Sequence, residues 1–90
     1  MPVTWDPQKA AANLAKHGVR FADAELVLYD PAGVTLEDIA AEGERRFVTI
    51  GLDAVGRLVV LAYTYRGGDI RLISARRATP RERRDYEEGI

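Results

Sequence analysis

Residues 57–77 constrain this chain more than any other stretch. Two runs rich in Val, Leu, Ile and Tyr flank the pair Gly67-Gly68. Glycine tolerates the positive φ that a two-residue primed turn demands, so the stretch predicts a β-hairpin. Such a turn also sets a register: Arg66 faces Asp69, Tyr65 faces Ile70, Thr64 faces Arg71, Tyr63 faces Leu72, and so on back to Val59 opposite Arg76. Alternation then puts Val59, Leu61, Tyr63, Tyr65, Ile70, Leu72, Ser74 and Arg76 on one face, which reads as core. The other face carries Leu58, Val60, Ala62, Thr64, Arg66, Asp69, Arg71, Ile73, Ala75 and Arg77. It is apolar in the middle and basic at both ends, which makes its open part the first candidate site.

A chain of 90 residues without linker-like composition suits one domain, residues 1–90, with a single modest core. Cysteine is absent, which removes both a disulfide framework and a Cys-based zinc site. The longest apolar run, residues 58–63, is far short of a membrane span. The first residues lack the basic region plus apolar run of a signal peptide, so a soluble, cytoplasmic protein is expected. The net charge of −1 is unevenly spread: residues 1–56 hold 5 Lys/Arg against 9 Asp/Glu, and residues 57–90 hold 8 against 5. A basic patch rather than the total decides phosphate binding, although an ordinary solvated surface explains the same counts.

Ahead of the hairpin, Val3-Thr4-Trp5 reads as a short edge strand. Asp6-Pro7 supplies an N-cap and a first-turn proline, and Gly18 a left-handed C-cap, for a helix of about three turns. Trp5 is placed to staple the start of that helix to the core. Ala10, Asn13, Leu14 and His17 share one helix face. Lys16 and His17 in the last turn suit the helix dipole, a structural reason for both that needs no function. A second helix is expected from Ala22 to residue 28 or 29, ended by Asp30-Pro31. Residues 32–45 read as an acidic loop with room for a turn of helix, and their acids as a solvated segment rather than metal ligands.

Residues 45–52 predict a further strand. With a short turn over residues 53–56, Leu52 lies opposite Arg57, and Val48, Ile50 and Leu52 join the core face. Thr79-Pro80-Arg81-Glu82 is a capping box that starts a mostly charged helix over residues 80 to about 88, with Tyr86 its one large apolar contact. The expected class is α+β: an antiparallel sheet of three strands, with the short N-terminal edge strand in addition, two N-terminal helices and one C-terminal helix.

Trp5-Asp-Pro with Lys9, residues 13–19 (NLAKHGV), Phe21, residues 63–66 (YTYR), residues 70–76 (IRLISAR), Ala78-Thr79, Glu82-Arg83 and Tyr86 together resemble the BrnT family, in order and spacing, over nearly the whole chain. The resemblance implies a RelE-like toxin of a bacterial type II toxin–antitoxin pair. It further implies a metal-independent endoribonuclease that inhibits translation, and a BrnA-type ribbon-helix-helix antitoxin whose complex with the toxin represses their operon.

RNA is cut without a metal when its 2′-hydroxyl attacks the adjacent phosphate. That reaction needs a proton acceptor, a proton donor and positive charge on the developing phosphorane. Arg76 and Arg66 are the first candidates for the charge, since arginine forks onto phosphate oxygens as lysine does not. His17, the one histidine, is the candidate acid or base. Arg71, Arg77 and Lys16 are candidate substrate-binding cations, and Tyr65 a base-stacking ring. No cofactor and no metal is implied. The expected register places Arg76 on the face opposite Arg66, Arg71 and Arg77 unless the strand bulges. Two other readings remain open: a non-catalytic interaction module, and an RNA- or DNA-binding accessory protein.

Overall fold

The computed structural model describes residues 1–38 and 45–89. Strand β1 (Val3–Thr4) leads into helix α1 (Pro7–His17), a short α2 (Phe21–Ala24) and a 3-10 turn, Glu25–Tyr29. Four strands follow, β2 (Val34–Asp38), β3 (Arg46–Leu52), β4 (Leu58–Arg66) and β5 (Asp69–Arg77), and then helix α3 (Pro80–Glu88). Among the described residues they form one five-stranded sheet in the order β1-β5-β4-β3-β2, with β1 parallel to β5 and every other pair antiparallel.

This overturns the expected three-stranded antiparallel sheet with two N-terminal helices. The fourth antiparallel strand, β2, lies in the segment read as an acidic loop, paired to β3 from Val34 opposite Ile50 to Asp38 opposite Arg46. Its side chains are mostly exposed, so it shows no buried alternation in sequence. Glu42, Gly43 and Glu44 of that loop lie outside the described residues. Strand β1 makes the sheet mixed by pairing Val3 with Ile70 and Thr4 with Arg71. In place of a continuous second helix, one α turn tightens into the 3-10 segment.

Local signals fixed the ends of the long helices. Asp6 accepts from the Gln8 N–H at 2.8 Å, and Gly18 closes α1 at φ 71° with its N–H on the Leu14 carbonyl. At α3 both halves of the capping box form: Glu82 N–H donates to Thr79 Oγ1, and Thr79 N–H to Glu82 Oε1. The hairpin tip turns with Gly67 alone at positive φ, 57°, the φ pattern of a II′ turn.

Two registers differ from expectation. Between β3 and β4, Asp53 N–H donates to the Arg57 carbonyl, and the Asp53 carboxylate accepts from the N–H groups of Val55 and Arg57. This lengthens the loop by one residue, so Leu52 faces Leu58, Ile50 faces Val60 and Val48 faces Ala62. Val48, Ile50 and Leu52 therefore sit on the face opposite the main core. Between β4 and β5 the predicted pairs hold from Arg66–Asp69 to Tyr63–Leu72, and then a bulge intervenes: Ala62 faces Ser74, so Ile73 has no opposite number. Beyond it Leu61 faces Ala75, Val60 faces Arg76 and Val59 faces Arg77.

The core lies between the sheet and the N-terminal helices, where Val19, Phe21, Ala24 and Val27 pack on Val59, Leu61, Tyr63, Leu72 and Ala75. Trp5 meets the Phe21 ring edge-on at 6.0 Å, as the staple reading expects. Gly51 lets the 3-10 segment close on β3, because a Cβ there would lie 3.1 Å from Val27 Cγ1. Buried Asn13 binds α1 to the edge of β5: its Oδ1 accepts from Ala75 N–H, and its Nδ2 donates to the carbonyls of Ala75 and Val19. One side-chain amide thus does what a neighbouring strand would do for Ala75. On the far face Ile50, Leu58 and Val60 form a smaller cluster with Val48, Ala78 and Tyr86 under α3.

Candidate RNA-binding face

The bulge at Ile73 decides which arginines share a surface. Residues opposite one another in a ladder point to the same side. Arg71 goes with Thr64, Ser74 with Ala62 and Arg76 with Val60, so all three stand on the side of Arg66. The expected separation of Arg76 from Arg66 and Arg71 is therefore reversed by one extra residue. Arg46 of β3, opposite Thr64, joins the same side. Arg77 moves to the core side, opposite Val59. Tyr65 is on the core side too, where its half-exposed ring meets Phe47 at 5.2 Å and Tyr63 at 6.0 Å. Arg77 and Tyr65 are thus not brought together with the other candidates.

His17 and Lys16 reach the same strand from α1. An open groove of about 240 Å³ runs between α1 and β5, lined by Lys9, Ala12, Asn13, Lys16, His17, Ile73 and Ser74. Ser74 lies on β5 between Arg71 and Arg76, so the groove opens beside the arginine face. Its charged wall is a helical spacing, since Lys9, Lys16 and His17 are seven and eight residues apart. The same spacing could have pointed to Lys9 in the sequence. Among the described residues no three His, Asp or Glu side chains gather in a way that could hold a metal ion.

Arg76 is held from the side of α3. Its Nη1 donates to Glu82 Oε1 and its Nη2 to Glu82 Oε2, both at 2.8 Å, and Nη1 also reaches the Arg77 carbonyl at 3.3 Å. The fork from Arg76, helped by the Thr79 N–H, drives the Glu82 carboxyl down to about 2 against the opposing effect of burial. The fork likewise raises the Arg76 pKa. Helix α3 is also tied through Tyr86, whose OH donates to Asp30 Oδ2 at 2.7 Å. Burial works against ionisation of Asp30, but bonds from Leu52 N–H, Tyr86 OH and Ala32 N–H outweigh it and hold the carboxyl below its ordinary range. The capping box was legible in the sequence. The second use of its glutamate was not, because no spacing rule joins a strand end to the next helix.

A small mixed sheet with its helices packed mainly on one face, and a row of arginines on the other, defines a compact α+β domain with one basic face. The family model for the ribonuclease toxin BrnT of type II toxin–antitoxin systems matches residues 5–82, and the chain belongs to that family. The fold is similar to the crystal structure of the Brucella abortus ribonuclease toxin BrnT, with a TM-score of 0.69 and 27% sequence identity over 88% of this chain and 97% of that one. No curated protein matches the sequence. Membership of a type II toxin family implies an antitoxin as partner. No helix among the described residues is long and apolar enough to cross a membrane.

Proposed function

We propose that this chain is an endoribonuclease that cuts RNA without a metal ion, in the cytoplasm, and so inhibits translation. The observation that carries the reading is the alignment of Arg66, Arg71 and Arg76 on one sheet face beside the groove of Lys16 and His17, in a member of a ribonuclease toxin family. In the proposed reaction the 2′-hydroxyl loses its proton as its oxygen bonds to phosphorus. The bond from phosphorus to the 5′-oxygen then breaks, and that oxygen is protonated. The products are a 2′,3′-cyclic phosphate and a 5′-hydroxyl. His17 supplies one of the two proton transfers. Arg76 neutralises the charge that grows on the phosphorane, while Arg71, Lys16 and, at the hairpin tip, Arg66 hold flanking phosphates.

The antitoxin in this proposal is of the BrnA type, with a ribbon-helix-helix part that takes the complex to operator DNA and represses the operon. The toxin alone has no DNA role. The test is cleavage of a defined RNA by antitoxin-free protein in EDTA, with product ends mapped. Arg76→Ala is expected to lower the rate by about a hundredfold or more, and His17→Ala to lower it as well. A folded protein that cuts nothing, even with ribosomes added, would replace this reading with that of a non-catalytic interaction module.

A further inference from the structure

The geometry points to Glu82 as the positioning residue for Arg76: its carboxylate clamps one edge of the guanidinium and leaves the other edge presented to a substrate phosphate. This rests on the ribonuclease reading and adds to it a residue that touches no substrate. A guanidinium offers five N–H groups arranged along two edges that can each fork onto an oxyanion. Glu82 takes the edge between Nη1 and Nη2, and the second Nη1 proton reaches the Arg77 carbonyl. The Nε–H and the remaining Nη2–H have no partner among the described residues, and the Arg76 side chain is 42% exposed. That second edge is the one a phosphate can use.

The clamp is itself fixed. Glu82 Oε1 is bonded to the Thr79 N–H, and α3 is tied through Tyr86 to Asp30, whose carboxylate holds the Leu52 and Ala32 N–H groups. An exposed arginine must otherwise lose rotamer freedom when it meets its ligand, and this arginine has already lost it. Capping alone does not explain the arrangement. A glutamine fills the same place in a capping box, and the second carboxylate oxygen is committed to Arg76. Because the glutamate charge offsets that of Arg76, the clamp contributes orientation at the cost of ground-state attraction for RNA. Its effect therefore belongs in kcat.

Steady-state cleavage of a short RNA tests this with Glu82→Gln, which retains the capping acceptor, and Thr79→Ala, which weakens the cap but leaves the fork. Glu82→Gln is expected to lower kcat by about tenfold or more, with KM unchanged or lower, while Thr79→Ala lowers Tm and keeps kcat within about twofold. Arg76→Lys keeps the charge without the fork, and adding it to Glu82→Gln is expected to cost little more than either alone. A folded Glu82→Gln protein with wild-type kcat overturns the inference, and so does a parallel loss in Thr79→Ala. Should wild type cut no RNA, the ribonuclease reading fails separately, and the clamp is read from the Arg76 Nε–H resonance on adding a 2′-deoxy oligonucleotide. A shift in wild type that is lost in Glu82→Gln supports the clamp. Equal shifts, or none, overturn it.

Discussion

The two faces of the sheet are held by different physics. On the core side, strand residues meet the aliphatic and aromatic side chains of the N-terminal helices, and Val59, Leu61 and Ala75 have no exposed surface at all. On the other side α3 covers a smaller cluster of Ile50, Leu58 and Val60 with Val48, Ala78 and Tyr86, and is tied down by the Tyr86–Asp30 bond and the Arg76–Glu82 fork. The first face supplies the hydrophobic burial that fixes the fold. The second leaves arginines on a rigid platform, where polar partners can engage them without dismantling the core.

Matched truncations test that difference most directly. Val59→Ala on the core side is expected to cost about 2–3 kcal/mol, and Val60→Ala, its neighbour on the other face, about 1–2 kcal/mol, because a thin cluster collapses into the space left. Urea unfolding measures both. Equal losses would mean that the faces are equivalent. Asn13→Ala is expected to cost about 2–3 kcal/mol by leaving both backbone groups of Ala75 unsatisfied in a buried place. A loss near zero would show that α1 is not pinned to β5 by this amide.

Acid distinguishes the faces next. The Glu82 carboxyl lies at about 2 in the folded protein, below the usual glutamate value, chiefly through its fork with Arg76. A depressed carboxyl stabilises the fold above the unfolded-state value near 4.3, and that contribution is lost as pH falls from there toward 2. With solvent screening of the half-exposed arginine it amounts to roughly 2 kcal/mol. Stability measured against pH should therefore fall less steeply over that window in Glu82→Gln than in wild type. The smallest effect is expected for Tyr86→Phe, about 1 kcal/mol, since Asp30 keeps its two backbone donors. Hydrogen exchange should place the loosening in α3, and a loosening spread over the core helices would contradict the separation of the faces.

Both helix caps of α1, the capping box of α3 and the turn at Gly67 were legible in the sequence, because each is settled by side chains within a few residues. The family was legible as well, from the order and spacing of its short motifs. What could not be read was pairing. Strand β2 is acidic and mostly exposed, and it exists because β3 offers it hydrogen bonds. The Asp53 loop took five residues rather than four, through a side chain that bonds its own turn. Nothing in Leu72-Ile73-Ser74 announces a bulge, since each residue suits a regular strand.

The sequence by itself therefore determined the caps of α1 and α3, the hairpin turn and the supply of cations, because turn and cap preferences act over one to four residues. Only the tertiary structure decided that Arg76 stands with Arg66 and Arg71 and that Glu82 holds it. Those facts depend on one unpaired residue in a ladder between distant strands and on where α3 lands. They are fixed by non-local hydrogen bonds and packing that no window of sequence contains.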